Sequence, residues 1–131
     1  MAMVRLIDDA AASPEAKVVF DDIRATRNTD FVNNFWRALA NDPALLARTW
    51  TDLKAVMGPG TIDPLVKELL YVAVSITNNC EYCIHSHSAA ARAKGMTEEM
   101  FMELVGIIAM ANETNRLAIA LQVPVDDVFK R

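Results

Sequence analysis

Three times in this chain a residue that caps helices stands directly before a proline: Ser13-Pro14, Asp42-Pro43 and Asp63-Pro64. A capping side chain accepts one of the orphan N–H groups at a helix start, and proline at the next position sacrifices no hydrogen bond. Each pair therefore predicts a helix start. The first helix runs from Ser13 to about Thr26, with Glu15 in its first turn. The third, opened by Asp42, ends before the breaker Gly58-Pro59-Gly60. The fourth, opened by Asp63, runs to about Thr77. Between them Asp30 is a candidate cap for a second helix over Phe31–Ala40, carrying Phe31, Phe35 and Leu39.

The remaining punctuation is of the same kind. Asn78 and Asn79 tolerate turn geometry, so a fifth helix can restart at Cys80 and stop at Gly95, with Lys94 suiting the negative end of the helix dipole. Thr97, Glu98 and Glu99 open a sixth helix to about Leu121, which Pro124 ends. No segment of adequate length alternates with period two, so no strand is expected. The fold class is all-α, about six helices, in a single domain spanning residues 1–131, with residues 1–12 expected to be poorly ordered.

Composition narrows the function classes. The chain is 53% apolar and 23% charged, ordinary for a water-soluble globular chain with a slight apolar excess. That excess suits a helical protein that buries further surface in a homo-oligomer. A net charge of −4 with no basic run argues against nucleic acid or an anionic membrane as partner. Apolar stretches are interrupted by Lys67, Glu68, Glu103 or Glu113 before they reach a membrane-spanning length. The amino terminus has no signal-peptide core, so a cytoplasmic location is expected. Thiols stay reduced there, and a cysteine pair points to catalysis or metal binding before it points to a structural staple.

Both cysteines and both histidines fall within the eight residues Cys80–His87, "CEYCIHSH". With Cys80 at the helix start, Cys83 falls at about −60° and His87 at about −20°, so the three share one face. His85 falls at about 140° and reads as a surface or interface residue. A disulfide between Cys80 and Cys83 would restrain little chain, so its use would be redox rather than stability. The positive end of the helix favours a thiolate, the form that attacks peroxides and disulfides. His87 is placed to take or relay its proton, and Glu68, on the preceding helix beside Val72 and Ser75, could orient that imidazole. The plainer readings are inert thiols, a zinc site using Cys80, Cys83 and His87, and a solvated Glu68 at a helix edge. Trp36, Trp50 and the seven Met read as core or subunit interface.

Glu68, Cys80, Cys83 and His87 together resemble the pattern of the carboxymuconolactone decarboxylase superfamily, on its alkylhydroperoxidase AhpD-like branch. There a Glu precedes Cys-x-x-Cys-x-x-x-His by the spacing seen here between Glu68 and Cys80. "NDPALL", "GPGTIDPLVKELL" and "NNCEYC" are similar to family phrases, and the resemblance extends from about Phe31 to "LAIALQVP". It implies a helical hairpin around the site and a trimer or hexamer. It also implies a peroxidatic Cys83, a resolving Cys80, and His87 as base with Glu68 behind it. The implied substrates are a hydroperoxide and a thioredoxin-like or dihydrolipoyl-protein reductant, with no cofactor and no metal. The pattern departs at Tyr82, where the best-studied sites carry a second histidine. Tyrosine can donate a hydrogen bond but is a poor base near neutral pH, so this position bears on peroxidase efficiency and on the preferred oxidant. A cofactor-free lyase, like the decarboxylase that names the superfamily, is the alternative enzyme, and a zinc-binding or assembly module the non-enzymatic one.

Overall fold

A computed structural model describes residues 1–130 and contains six α-helices: α1 Pro14–Arg27, α2 Asn34–Leu39, α3 Pro43–Met57, α4 Pro64–Thr77, α5 Glu81–Ala93 and α6 Glu98–Ala120. A short 3-10 turn, Asp127–Phe129, follows, and no strand occurs among the described residues. The three cap–proline starts hold. Ser13 accepts from Ala16 N–H, Asp42 from Ala44 and Leu45 N–H, and Asp63 from Leu65 N–H. The second helix differs. It begins at Asn34 with Asn33 as N-cap, not at Phe31 with Asp30. Val32 is buried in the extended stretch before it, while Phe31 is exposed and Trp36 is the helix's buried residue.

Two units divide the chain after Gly58. In the first, Met1–Gly58, α1 and α2 both pack on α3. Phe20, Ile23, Val32, Trp36, Leu46 and Trp50 form an apolar core, with the two indoles edge to face at 5.3 Å. Trp50 Nε1–H donates to Asp22 at 2.6 Å, which satisfies the one polar atom of that ring. The segment before α1, expected to be loosely held, is tied down at several points. Ile7 N–H donates to the Arg37 carbonyl, Arg37 donates back to the Ile7 carbonyl and to Asp9, and Ala12 is buried.

In the second unit α4 packs on α5 and α6. The connection from α4 to α5 is short because Asn79 takes a left-handed conformation (φ 57°), and Cys80 N–H bonds back to the Ser75 carbonyl at 3.0 Å. This six-to-one closure ends α4 and leaves Cys80 as the N-cap of α5. The α5 end repeats the device: Gly95 has φ 105°, and Met96 N–H bonds to the Ala91 carbonyl at 3.0 Å. Helices α4 and α5 thus form a hairpin in which the first half of one faces the second half of the other.

The buried side chains of this unit are mostly small or polar: Glu68, Val72, Ser75, Ser88, Ala91, Met96 and Ile108. On α4 the exposed residues Val66, Leu70 and Val74 recur every four positions, so the apolar stripe faces outward while Glu68 and Ser75 face inward. Helix α6 is 23 residues long and buries only Ile108. Its exposed side chains include Met102, Ile107, Met110, Leu117 and Ile119. Among the described residues no helix is long and apolar enough to cross a membrane.

Candidate active site

The α4–α5 hairpin brings Glu68, Cys80, Cys83 and His87 together. Cys80 and Cys83 form a disulfide, their Cα atoms 5.2 Å apart. Cys80 is not the first helical residue but the N-cap, with non-helical backbone (φ −88°, ψ 86°), and its sulfur accepts Cys83 N–H at 3.3 Å. The orphan donor of the helix start therefore serves the Cys80 sulfur. Cys83, three residues in, spends its own N–H on that contact.

His87 is the nearby imidazole. It lies one turn beyond Cys83, and helical side chains lean toward the amino-terminal turn, so the imidazole covers the turn that carries the second thiol. Its Nδ1 is 2.8 Å from Glu68 Oε2. The ring is also stacked on Tyr71, centroids 3.6 Å apart and planes 19° from parallel. Tyr71 is three residues past Glu68, so one face of α4 supplies both a hydrogen bond to the imidazole edge and an aromatic wall to its face.

Glu68 is no solvated edge residue. Its side chain is only 8% exposed, and both oxygens are used, Oε2 by His87 and Oε1 by Lys94 Nζ at 3.0 Å. Burial pushes this carboxyl up, but the hydrogen bonds from His87 and Lys94 and their charges outweigh it, and the net direction is down. Glu68 is thus an anion near neutral pH, an acceptor only, so the proton of the His87 contact sits on Nδ1 and Nε2 is the free basic nitrogen.

Tyr82 and His85 are exposed on α5. Among the described residues no three His, Cys, Asp or Glu side chains converge as metal ligands. Sequence reading missed Lys94 and Tyr71 as members of this cluster. Lys94 follows His87 by seven positions, as His87 follows Cys80, so all three lie on one face of α5.

A hairpin with this glutamate, cysteine pair and histidine defines the class of protein. The model of the carboxymuconolactone decarboxylase family matches residues 43–126, and the chain belongs to that family, on its AhpD-like branch. Among solved structures, the crystal structure of the alkylhydroperoxidase AhpD core from Rhodospirillum rubrum superposes with a TM-score of 0.94 at 61% identity. That match covers 98% of this chain and 97% of the other. The fold is the AhpD-like all-α fold. Among curated proteins, protein 4 of the cox locus of Paracoccus denitrificans is 37% identical over 68 residues, 52% of this chain and 58% of that one. The alkyl hydroperoxide reductase AhpD of Solibacter usitatus is 36% identical over 66 residues, 50% of this chain and 36% of that one. The aligned stretch thus spans little more than half of the first relative and about a third of the second.

Proposed function

We propose that this chain is a thiol-dependent hydroperoxide reductase, and more broadly a disulfide oxidoreductase, working through the Cys80–Cys83 couple in antioxidant defence. The observation that carries the reading is the pairing of buried Glu68 with part-buried His87 on the hairpin that also holds the disulfide. Relatives bearing the alkylhydroperoxidase and alkyl hydroperoxide reductase names support it.

In the reduced protein His87 Nε2 takes the Cys83 proton, and the imidazolium is held by Glu68. The Cys83 thiolate attacks the terminal oxygen of the hydroperoxide, the O–O bond breaks, and an alcohol leaves with the proton returned through His87. Cys83 is then a sulfenic acid. The Cys80 thiol attacks that sulfur, water departs, and the disulfide forms. A dithiol donor, thioredoxin-like or dihydrolipoyl, reopens it by thiol–disulfide exchange and carries away the two electrons in its own disulfide. Such a donor places the protein in a reducing compartment, the cytoplasm. The outward apolar stripe of α4 and the exposed apolar residues of α6 support a homo-oligomer, trimeric or hexameric, as the working form.

The test is a titration of free thiols in the reduced protein before and after one equivalent of an organic hydroperoxide. Two thiols should disappear rapidly and return with dithiothreitol. Cys80→Ser should stop at the sulfenic acid, and Cys83→Ser should not react. Thiols that survive at the rate of free cysteine would remove peroxide as the oxidant. Undiminished turnover of a lactone acid by Cys80→Ala would instead assign the chain to the family's lyase chemistry.

A further inference from the structure

Lys94 has a local explanation and a second, longer-range contact that this explanation does not need. As the C-cap of α5 it suits the negative end of the helix dipole. Its Nζ nevertheless reaches across the hairpin to Glu68 Oε1 at 3.0 Å, while Oε2 of the same carboxylate accepts from His87. The Lys94 side chain is 39% exposed and Glu68 is 8% exposed, so the contact joins a part-solvated cation to a buried anion.

A buried carboxylate beside a neutral imidazole has two protonation states, one proton apart. It can remain an anion and accept Nδ1–H, which leaves the Nε2 lone pair free. Alternatively it can take up a second proton from solvent, become a carboxylic acid and donate to Nδ1, which leaves the ring's own proton on Nε2 and no base for a thiol. Burial by itself favours the second arrangement, because it penalises charge. A lysine on the other oxygen favours the first. We propose that Lys94 is a positioning residue of the thiol site: it holds Glu68 ionised, and so keeps Nε2 of His87 free to accept the Cys83 proton.

The inference rests on the relay of the preceding section and not on which oxidant the thiols meet. The charged and titratable groups in contact with Glu68 and His87 include Lys94, from the end of α5, and Tyr71 on α4, whose ring is stacked on the imidazole. Removing a fixed positive charge from such a cluster makes every proton in it harder to remove, whichever residue carries it. Loss of Lys94 must therefore move the acid limb of thiol reactivity to higher pH. Loss of the Glu68 charge must move it to lower pH.

The experiment is the rate of alkylation of Cys83 by iodoacetamide from pH 5 to 9, in the Cys80→Ser background so that one thiol is read. Lys94→Met should shift the acid limb upward by about one pH unit, a roughly tenfold loss of rate on that limb that vanishes at high pH. Lys94→Arg should restore the parent profile, and Glu68→Gln should shift it the other way. A purely structural role would leave the acid limb where it is, with any loss of rate parallel at all pH values. That result, with Glu68→Gln still shifting the profile, overturns the role of Lys94 and leaves the relay standing. Profiles unmoved in both Glu68→Gln and Lys94→Met would overturn the relay and the inference together.

Discussion

The two units of this chain bury opposite kinds of residue. Of the six largest fully buried side chains, five (Trp36, Phe20, Ile23, Leu46 and Val32) belong to the first unit, and the second contributes only Val72. The first unit follows the usual economy of a small core: aromatic and branched side chains inside, charges paired at its edge through Asp9, Asp22, Arg24 and Lys54. The second turns a carboxylate and two serines inward and leaves Val66, Leu70 and Val74 outside. An inward glutamate is costly unless hydrogen-bonding or charged partners surround it, and here His87 and Lys94 do. One unit buries a conventional apolar core and the other a hydrogen-bonded carboxylate, and the second gives up apolar burial within the chain to do so.

That division can be broken most directly at Trp36. It is 1% exposed and stacks edge to face with Trp50. Trp36→Ala should cost about 3–5 kcal/mol in urea unfolding, through lost transfer energy and a cavity. The alkylation rate of Cys83 in the fraction that remains folded should stay at the parent value. A variant that loses the same stability together with its thiol reactivity would show that the site depends on the first core, and the division of labour would fall.

The apolar face of the second unit sharpens the comparison further. If a second copy covers it, Ile107→Lys should lower the particle mass seen in sedimentation and reduce the melting temperature. The new lysine lies one turn after Glu103, so within a single chain the change is close to neutral. An unchanged mass would mean that α6 is not the assembly surface. The unit's outward apolar residues would then need another partner.

Much of the fold was legible because its signals are local. A capping side chain and a proline act within one turn, so Ser13, Asp42 and Asp63 open the helices that start at Pro14, Pro43 and Pro64. The second helix was misplaced because Asp30 and Asn33 are both good caps three residues apart. The choice between them is made by Val32 and Trp36 entering the core. The cysteine–histidine face was legible from helix periodicity, but whether Cys80 or Glu81 opens α5 was settled by Asn79 turning left-handed. Lys94 and Tyr71 escaped notice because their importance lies across the hairpin. A lysine before a glycine already has a sufficient reason at a helix end, and only its contact with Glu68 supplies another.

The smallest expected effect concerns acid stability, and it isolates the inward carboxylate. The Glu68 carboxyl titrates below its ordinary value of 4.5, held there against burial by His87 and Lys94. A carboxyl depressed in the folded state stabilises that state fully above its unfolded value. The stabilisation is lost as the pH falls from about 4.5 through the folded value, because the unfolded chain takes up the proton first. Asp9 and Asp22 in the first unit are depressed by their own hydrogen bonds, to Arg24 and Lys54 above all, and contribute slopes of the same sign. Comparing the parent with Glu68→Gln in urea between pH 5 and 3 cancels those two. The difference reports the Glu68 carboxyl, the group that the substitution removes. The stability advantage of the parent should shrink steadily as the pH is lowered. A difference that stays constant would mean that the carboxylate is no better stabilised folded than unfolded, and that the polar interior of the second unit is held by something other than this pair of contacts.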